Sequence, residues 1–399
     1  MNIVLSKKYL GTSQSFIWNV NENRYFWSDF IPDQSWVFGD SLYSRDLGTV
    51  AEAAKFNIVT LMDTKWGESL QASNADFSQT IPWHNILPST YFKQYIKSTL
   101  DQLWLLINKQ SDCYHIRELI DHREFLLTLQ RAVIDKNIFK FFLENAETEN
   151  DKNHILTFSP DNSGFCKNVI YSQTSSSTGR LVVKTGPRIL TLKKKYRKIL
   201  KSSFKDGKIF QIDLVSLEPR IALRVANRND ERDIYSQVSR KIFKNTLDRE
   251  KAKIATISCL YGMSARSLRD KLPEEDTAQV IDQIRAFFGI QQLKRRLSRQ
   301  SEKDGFITNF YDRKIMSSGA LVNNYVQSTG VDVSLDCFKQ LCQDFTDSNI
   351  KFRPLFVVHD ALIVDIEMSD LDRAKCIINK GLFASRFKEP FPAKIEENF

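Results

Sequence analysis

The chain has 399 residues, 42% hydrophobic and 26% charged, which is enough apolar material for two or three well-packed structural units and excludes a disordered chain. Its 57 Lys and Arg outweigh 48 Asp and Glu, giving a net charge of +9 and a pI near 9.1, which suits a polyanionic partner without demanding one. No run approaches the roughly 18 apolar residues of a membrane span, MNIVLSKKYLG lacks a secretory apolar core, and the six cysteines form no C-x-x-C pair. A soluble cytoplasmic protein is expected, with reduced, buried thiols, no disulfide framework and no zinc site.

Residues 1–88 are rich in aromatics and read as mixed short strands and helices without a nameable motif. From Ser89 to Asn150 the apolar residues Tyr95, Leu100, Leu103, Leu106, Leu119, Phe125, Leu126, Leu129, Val133, Ile138 and Phe142 recur mostly at spacings near three and four. That pattern predicts two packed helices. A Ser/Thr/Gly segment, Ser172–Gly179, precedes a basic tract from Lys184 through Lys193, Lys194, Lys195, Arg197, Lys198, Lys201 and Lys205 to Lys208. Such tracts are more often solvated faces than binding sites.

Three later segments carry groups suited to chemistry. In KIFQIDLVSLEPRIALRVA a short apolar run ends at Asp213, and an amphipathic helix follows with Ser216 as the expected N-cap and Pro219 in the first turn, where no N–H is missed. Taken alone, Asp213 reads equally well as a helix cap. In DREKAKIATISCLYGMSARSLRDKL the residues Arg249, Lys253, Ile257 and Tyr261 lie four apart and share one helical stripe, which Gly262 can end in a left-handed cap. Two cations one turn apart suit a triphosphate, although an exposed basic face gives the same spacing. In PLFVVHDALIVDIE, His359 and Asp360 stand between apolar runs and predict a tight hairpin with a carboxylate at its tip. An Asp in a turn is common; the order of all three pieces in one basic chain is not.

In that order the segments resemble family A DNA polymerases, the family of bacterial DNA polymerase I. Asp213, Ser216, Glu218 and Arg220 are similar to motif A; Arg249, Lys253, Ile257, Tyr261 and Gly262 to motif B; His359 and Asp360 to motif C. Thr178, Gly179, Arg180 and Leu181 match a T-G-R-L segment, Asp233, Ile234 and Tyr235 resemble D-I-H, GFITNFYDR resembles G-Y-V-E-T-L-x-G-R, and Asn323 and Gln327 fall where the family has N-x3-Q. The resemblance implies an α+β right-hand fold: a helical thumb at 89–165, a palm from 166–226 and 306–399, and fingers at 227–305, with the role of 1–88 open. It implies DNA-directed DNA polymerase activity on primer–template DNA and dNTPs, in a monomer of bacterial, phage or mobile-element origin. Asp213 and Asp360, with the Leu214 carbonyl, are the expected ligands of two Mg²⁺ ions, Mn²⁺ being an alternative. Lys253 joins the two aspartates as catalytic; Arg249, Lys253, Ile257, Tyr261 and Glu218 hold the nucleotide; Arg180, Asn323, Gln327, His359 and Gly262 face primer and template.

The departures are specific. Ala361 replaces the Glu that usually follows the motif C Asp, Ile257 replaces Phe or Tyr, and VVKTGPRIL replaces the usual proline-rich continuation after T-G-R-L. Residues 1–88 hold no D-x-E, so no proofreading exonuclease is expected. Two other readings stay open: a catalytically weak polymerase-derived binder of primer–template DNA, and a single-subunit RNA polymerase, against which Glu218 argues for deoxynucleotides.

Overall fold

The computed structural model describes residues 1–75, 83–110, 113–244, 247–273, 276–316 and 319–397. They form two compact units, Met1–Leu127 and Thr128–Phe399. The division falls inside the segment that sequence periodicity treats as one helical region.

The first unit is built on a four-stranded sheet. Asn2–Leu5, Ser15–Asn19 and Arg24–Ser28 form an antiparallel meander, and Trp36–Phe38 joins the free side of Asn2–Leu5 in parallel. Strand alternation divides Asn2–Leu5 between two apolar clusters. Ile3 and Leu5 pack with Leu100, Leu103 and Leu106 of the helix Ser89–Gln110, whereas Val4 meets Ile17 and Val37 on the other face. The helix Tyr114–Thr128 follows.

The second unit corrects the two-helix expectation. After a short strand, Val133–Ile134, the chain forms a third helix, Lys136–Glu144, with none of its residues buried, and a fourth, Glu149–Leu156. Phe142 does not join a helical core; it stacks edge-on against Tyr196 at 5.3 Å.

The core of this unit is an antiparallel sheet in the order Phe352–Val358, Ala361–Glu367, Gly207–Leu214, Ala393–Glu396. The strand Ala361–Glu367 is buried up to its last residue because it pairs on both edges, which explains its nearly unbroken apolar run. Along the same unit lie the helices Leu217–Val225, Ile234–Phe243, Arg249–Leu260 and Leu321–Asp347. Gly330, within the long helix, faces Leu217 and Ile221, and a Cβ there would make an ordinary contact with Leu217 at 3.5 Å. No helix among the described residues is long and apolar enough to cross a membrane, and none of the six cysteines is paired. Cys376 is exposed, against the expectation of uniformly buried thiols.

Candidate active site

A cavity of about 660 Å³ opens in the second unit, and most of the residues singled out from the sequence line it: Arg180, Asp213, Leu214, Glu218, Arg249, Lys253, Ile257, Tyr261, Gln327, His359 and Asp360. Asn323 and Gly262 are not in its lining. Asn323 lies one turn before Gln327 on the long helix, and Gly262 is exposed beyond the end of its own.

Asp213 is the penultimate residue of its strand and lies directly opposite Ala361 on one side and Lys394 on the other. Asp360 reaches the same place from a two-residue turn, since Val358 and Ala361 are already paired. A turn that short forces a left-handed residue, and His359 takes that conformation at φ 55°. The Leu214 N–H donates to the Asp360 carbonyl at 3.1 Å, tying the hairpin tip to the strand end. Burial pushes the Asp213 carboxyl up to about 6, the Asp360 charge adds to the rise, and Lys394 opposes it. Burial raises Asp360 as well. Two partly desolvated carboxylates that repel one another form a site for a positive charge. His359 is held below its ordinary range by burial and by Arg180 and Arg197.

The helix after Asp213 does not start as the sequence predicts. Ser216 occupies the N-cap position but at φ 55° and with no capping bond from its side chain. Pro219 does sit in the first turn, as expected. One turn in, Arg220 is almost fully buried. It donates from Nε to the Val215 carbonyl at 2.9 Å, from Nη1 to the Asp230 carboxylate and the Glu231 carbonyl, and from Nη2 to the Arg232 carbonyl. A planar fork with five N–H groups is suited to this role, fastening the strand end to the loop before Ile234–Phe243.

Arg249, Lys253, Ile257 and Tyr261 present one face of their helix to the cavity, while Ala252, Ala255, Thr256, Ser258, Cys259 and Leu260 are buried. Gly262, at φ 75°, ends the helix with bonds from its N–H to the Cys259 carbonyl and from the Met263 N–H to the Ser258 carbonyl. Tyr261 Oη donates to Glu218 Oε1 at 3.2 Å. Burial raises the Glu218 carboxyl while Tyr261 lowers it.

Arg180 lies at the end of a loop between the paired strands Ile170–Ser172 and Val182–Thr185. Tyr171 fixes one side of that pair, donating to the Val357 carbonyl at 2.8 Å. The loop itself rests on a buried carboxylate that sequence reasoning missed. Asp332 accepts from Gln173 Nε2 at 2.8 Å, Asn309 Nδ2 at 2.7 Å and Arg313 Nη2 at 2.5 Å. Gly179, at φ 76°, lies against Arg313, where a Cβ would come within 2.9 Å of Nε. Lys394 was missed too; its Nζ stands 3.5 Å from Asp213 Oδ2. Both gaps have the same origin: the links from Asp332 to Gln173 and from Lys394 to Asp213 join parts of the chain far apart in sequence.

The basic tract is less free than its composition suggests. Lys193 and Lys195 are bound to Glu147, Lys193 also to Asp151 at 2.7 Å, and Arg197 is buried. Lys194, Lys198, Lys201 and Lys205 remain exposed.

The sequence model described as DNA polymerase family A matches residues 168–397. The chain is 22% identical over 265 residues to DNA polymerase I of Caldicellulosiruptor bescii, covering 57% of this chain and 31% of the relative. It is 23% identical over 266 residues to DNA polymerase I of Lactococcus lactis subsp. lactis, covering 57% and 30%. It thus spans about a third of the length of these curated relatives. Among solved structures, the POL domain of Pol1 from M. smegmatis, in complex with DNA primer-template and dNTP, superposes with a TM-score of 0.65 at 13% identity, covering 96% of this chain and 91% of that one. The fold is the α+β polymerase fold, and the chain belongs to DNA polymerase family A.

Proposed function

We propose that this chain extends a primer 3′ end with deoxynucleotides along a DNA template. The observation that carries the reading is the convergence of Asp213 and Asp360, from a strand end and a hairpin tip, in a cavity that the Arg249–Lys253–Ile257–Tyr261 stripe also lines. Phosphoryl transfer needs alignment and neutralisation of charge rather than covalent chemistry from the protein, and this arrangement provides both.

The pair of carboxylates suits divalent cations. Asp213 and Asp360, with the Leu214 carbonyl, are the groups that would hold two Mg²⁺ ions, and bound there the ions would lower the pKa of the primer hydroxyl and neutralise the triphosphate. Arg249 and Lys253 supply fixed positive charge for the β- and γ-phosphates. Glu218, held by Tyr261, is assigned to sugar selection, since a 2′-OH reaching it would compete for that hydrogen bond. Arg180, His359 and Gln327 remain for primer and template, with Asn323 and Gly262 outside the cavity. In this reading 166–226 and 306–399 are the palm, 227–305 the fingers and 89–165 the thumb. The reading also has the protein as a cytoplasmic monomer.

We also infer that this chain does not proofread, since residues 1–88 hold no D-x-E. A mismatched primer incubated with protein and Mg²⁺ but no nucleotide should keep its 3′ end.

Primer extension with purified protein tests the main reading. Asp213→Asn and Asp360→Asn should each abolish extension with DNA affinity unchanged within about twofold. Full activity in either variant would remove the two-metal assignment, and DNA binding without extension in the wild type would favour a polymerase-derived binding protein.

A further inference from the structure

The Glu that usually follows the motif C Asp is here Ala361, buried and directly opposite Asp213. On the other side of Asp213 the sheet offers a cation. Lys394 is its register partner in the Ala393–Glu396 strand, with Nζ 3.5 Å from Asp213 Oδ2 and 2.6 Å from Glu396 Oε1. Alternation puts Lys394 and Glu396 on one face of that strand, so the ammonium is held between a carboxylate of the cavity and one outside its lining. The Lys394 side chain is 49% exposed and Asp213 23%, so the ammonium sits at the water-facing side of the pair.

We propose that Lys394 is a resident counter-cation of Asp213 that a divalent ion must displace, and that it thereby sets the metal concentration at which the site fills. The inference rests on the metal-binding role proposed for Asp213. A cation this close to a ligand oxygen opposes a second cation there, and the opposition is moderated because water screens half of the lysine. Glu396 gives the displaced ammonium a second partner, so displacement does not leave Lys394 unpaired. Lys394 is a positioning residue: it acts on substrate only through Asp213.

Mn²⁺ binding to the purified full chain, followed by loss of the free-ion paramagnetic resonance signal, tests this without reference to activity. Lys394→Met should bind Mn²⁺ about three- to tenfold more tightly than wild type, and Lys394→Arg, which keeps the charge, should stay within about twofold. Glu396→Gln should bind more weakly, since Lys394 then bears on Asp213 alone. Circular dichroism and a thermal melt establish that each variant folds; Met is tolerated on a strand whose register is set by backbone pairing. Equal or weaker Mn²⁺ binding in folded Lys394→Met, with the Asp213-dependent site intact, overturns the inference and leaves the polymerase reading standing. Unchanged binding in Asp213→Asn overturns both, because the ion would then lie elsewhere.

Discussion

Arg249 donates from Nε to Asp233 Oδ2 at 2.7 Å and from Nη1 to Glu250 Oε1 at the same distance, so a guanidinium that lines the cavity is already engaged by two carboxylates. Asp233 serves a second purpose, capping Ile234–Phe243 through bonds from the Tyr235 and Ser236 N–H groups. On the nucleotide-binding role proposed for Arg249, an incoming triphosphate would compete with Asp233 for it.

Asp233→Asn separates these two roles, because Asn is an equally good N-cap without the charge. The Michaelis constant for dNTP should fall about two- to fivefold, the range of a half-exposed ion pair, with kcat unchanged. A rise in the Michaelis constant would mean that Asp233 orients Arg249 for the nucleotide rather than competing with it.

Sugar selection should reside in Glu218 and its partner Tyr261. Roughly 10⁴-fold preference for dNTP over rNTP requires about 5.5 kcal/mol, which a steric conflict combined with a displaced buried hydrogen bond can supply. Glu218→Ala should lose most of that preference. Ile257 offers the cavity an aliphatic wall without a hydroxyl, so wild type should use dideoxynucleotides poorly and Ile257→Tyr should improve their use. Single-nucleotide incorporation with matched dNTP, rNTP and ddNTP reads all three, and equal use of dNTP and rNTP by wild type would restore the RNA polymerase reading.

Asp213 makes the metal-free protein sensitive to pH in a defined direction. Its carboxyl rises from the ordinary 3.8 to about 6, so between those values the native state holds a proton that the unfolded chain has released. The associated stability is fully present below about pH 3.8 and is lost as pH rises through about 6, a swing of up to roughly 3 kcal/mol. Asp213→Asn removes the penalty of the ionised form: without metal, it should melt at a higher temperature than wild type at about pH 7.5, and the difference should shrink towards about pH 4. Identical melting temperatures across that range would show that the carboxyl titrates near its ordinary value.

For nucleic acid binding by the basic tract, the informative lysines are the exposed ones. Lys194, Lys198 and Lys201 changed together to Glu should weaken DNA binding and flatten its dependence on salt, by up to about 0.9 in slope for each phosphate no longer neutralised. Lys193 and Lys195, already paired with Glu147, should contribute less when changed. An unchanged slope in the triple variant assigns the tract to solvent.

The parts of the site that were legible in the sequence are those encoded by short-range periodicity. Four residues spaced by four had to share a helical face, and apolar runs on either side of His359–Asp360 had to form a hairpin. What escaped was either a backbone conformation or a pairing between distant strands. Ser216 has the composition of a cap, yet its backbone is left-handed and its side chain makes no capping bond. Lys394 reads as one polar residue in an alternating strand, and only the register with Asp213 gives it a partner. The helix Lys136–Glu144 has apolar spacing, but the short strand before it places it in the second unit. The sheet of the first unit was not predictable in order, because its parallel strand, Trp36–Phe38, pairs with Asn2–Leu5 across the whole intervening meander.

The two-residue tip at His359–Asp360 fixes more than the position of one carboxylate. The strand that leaves it is locked on both edges, with Ala361 opposite both Val358 and Asp213, so length at the tip is coupled to register throughout the sheet. One inserted residue would either expel Asp360 from the cavity or slip the strand by one, and a slip exchanges its faces. Asp365 would then be torn from Ser202 and Ser203, whose hydroxyls and N–H bond it at 2.6 to 2.8 Å in the interior. The hairpin is therefore a place where the chain tolerates neither insertion nor deletion, and length variation among functional relatives of this protein should fall outside it.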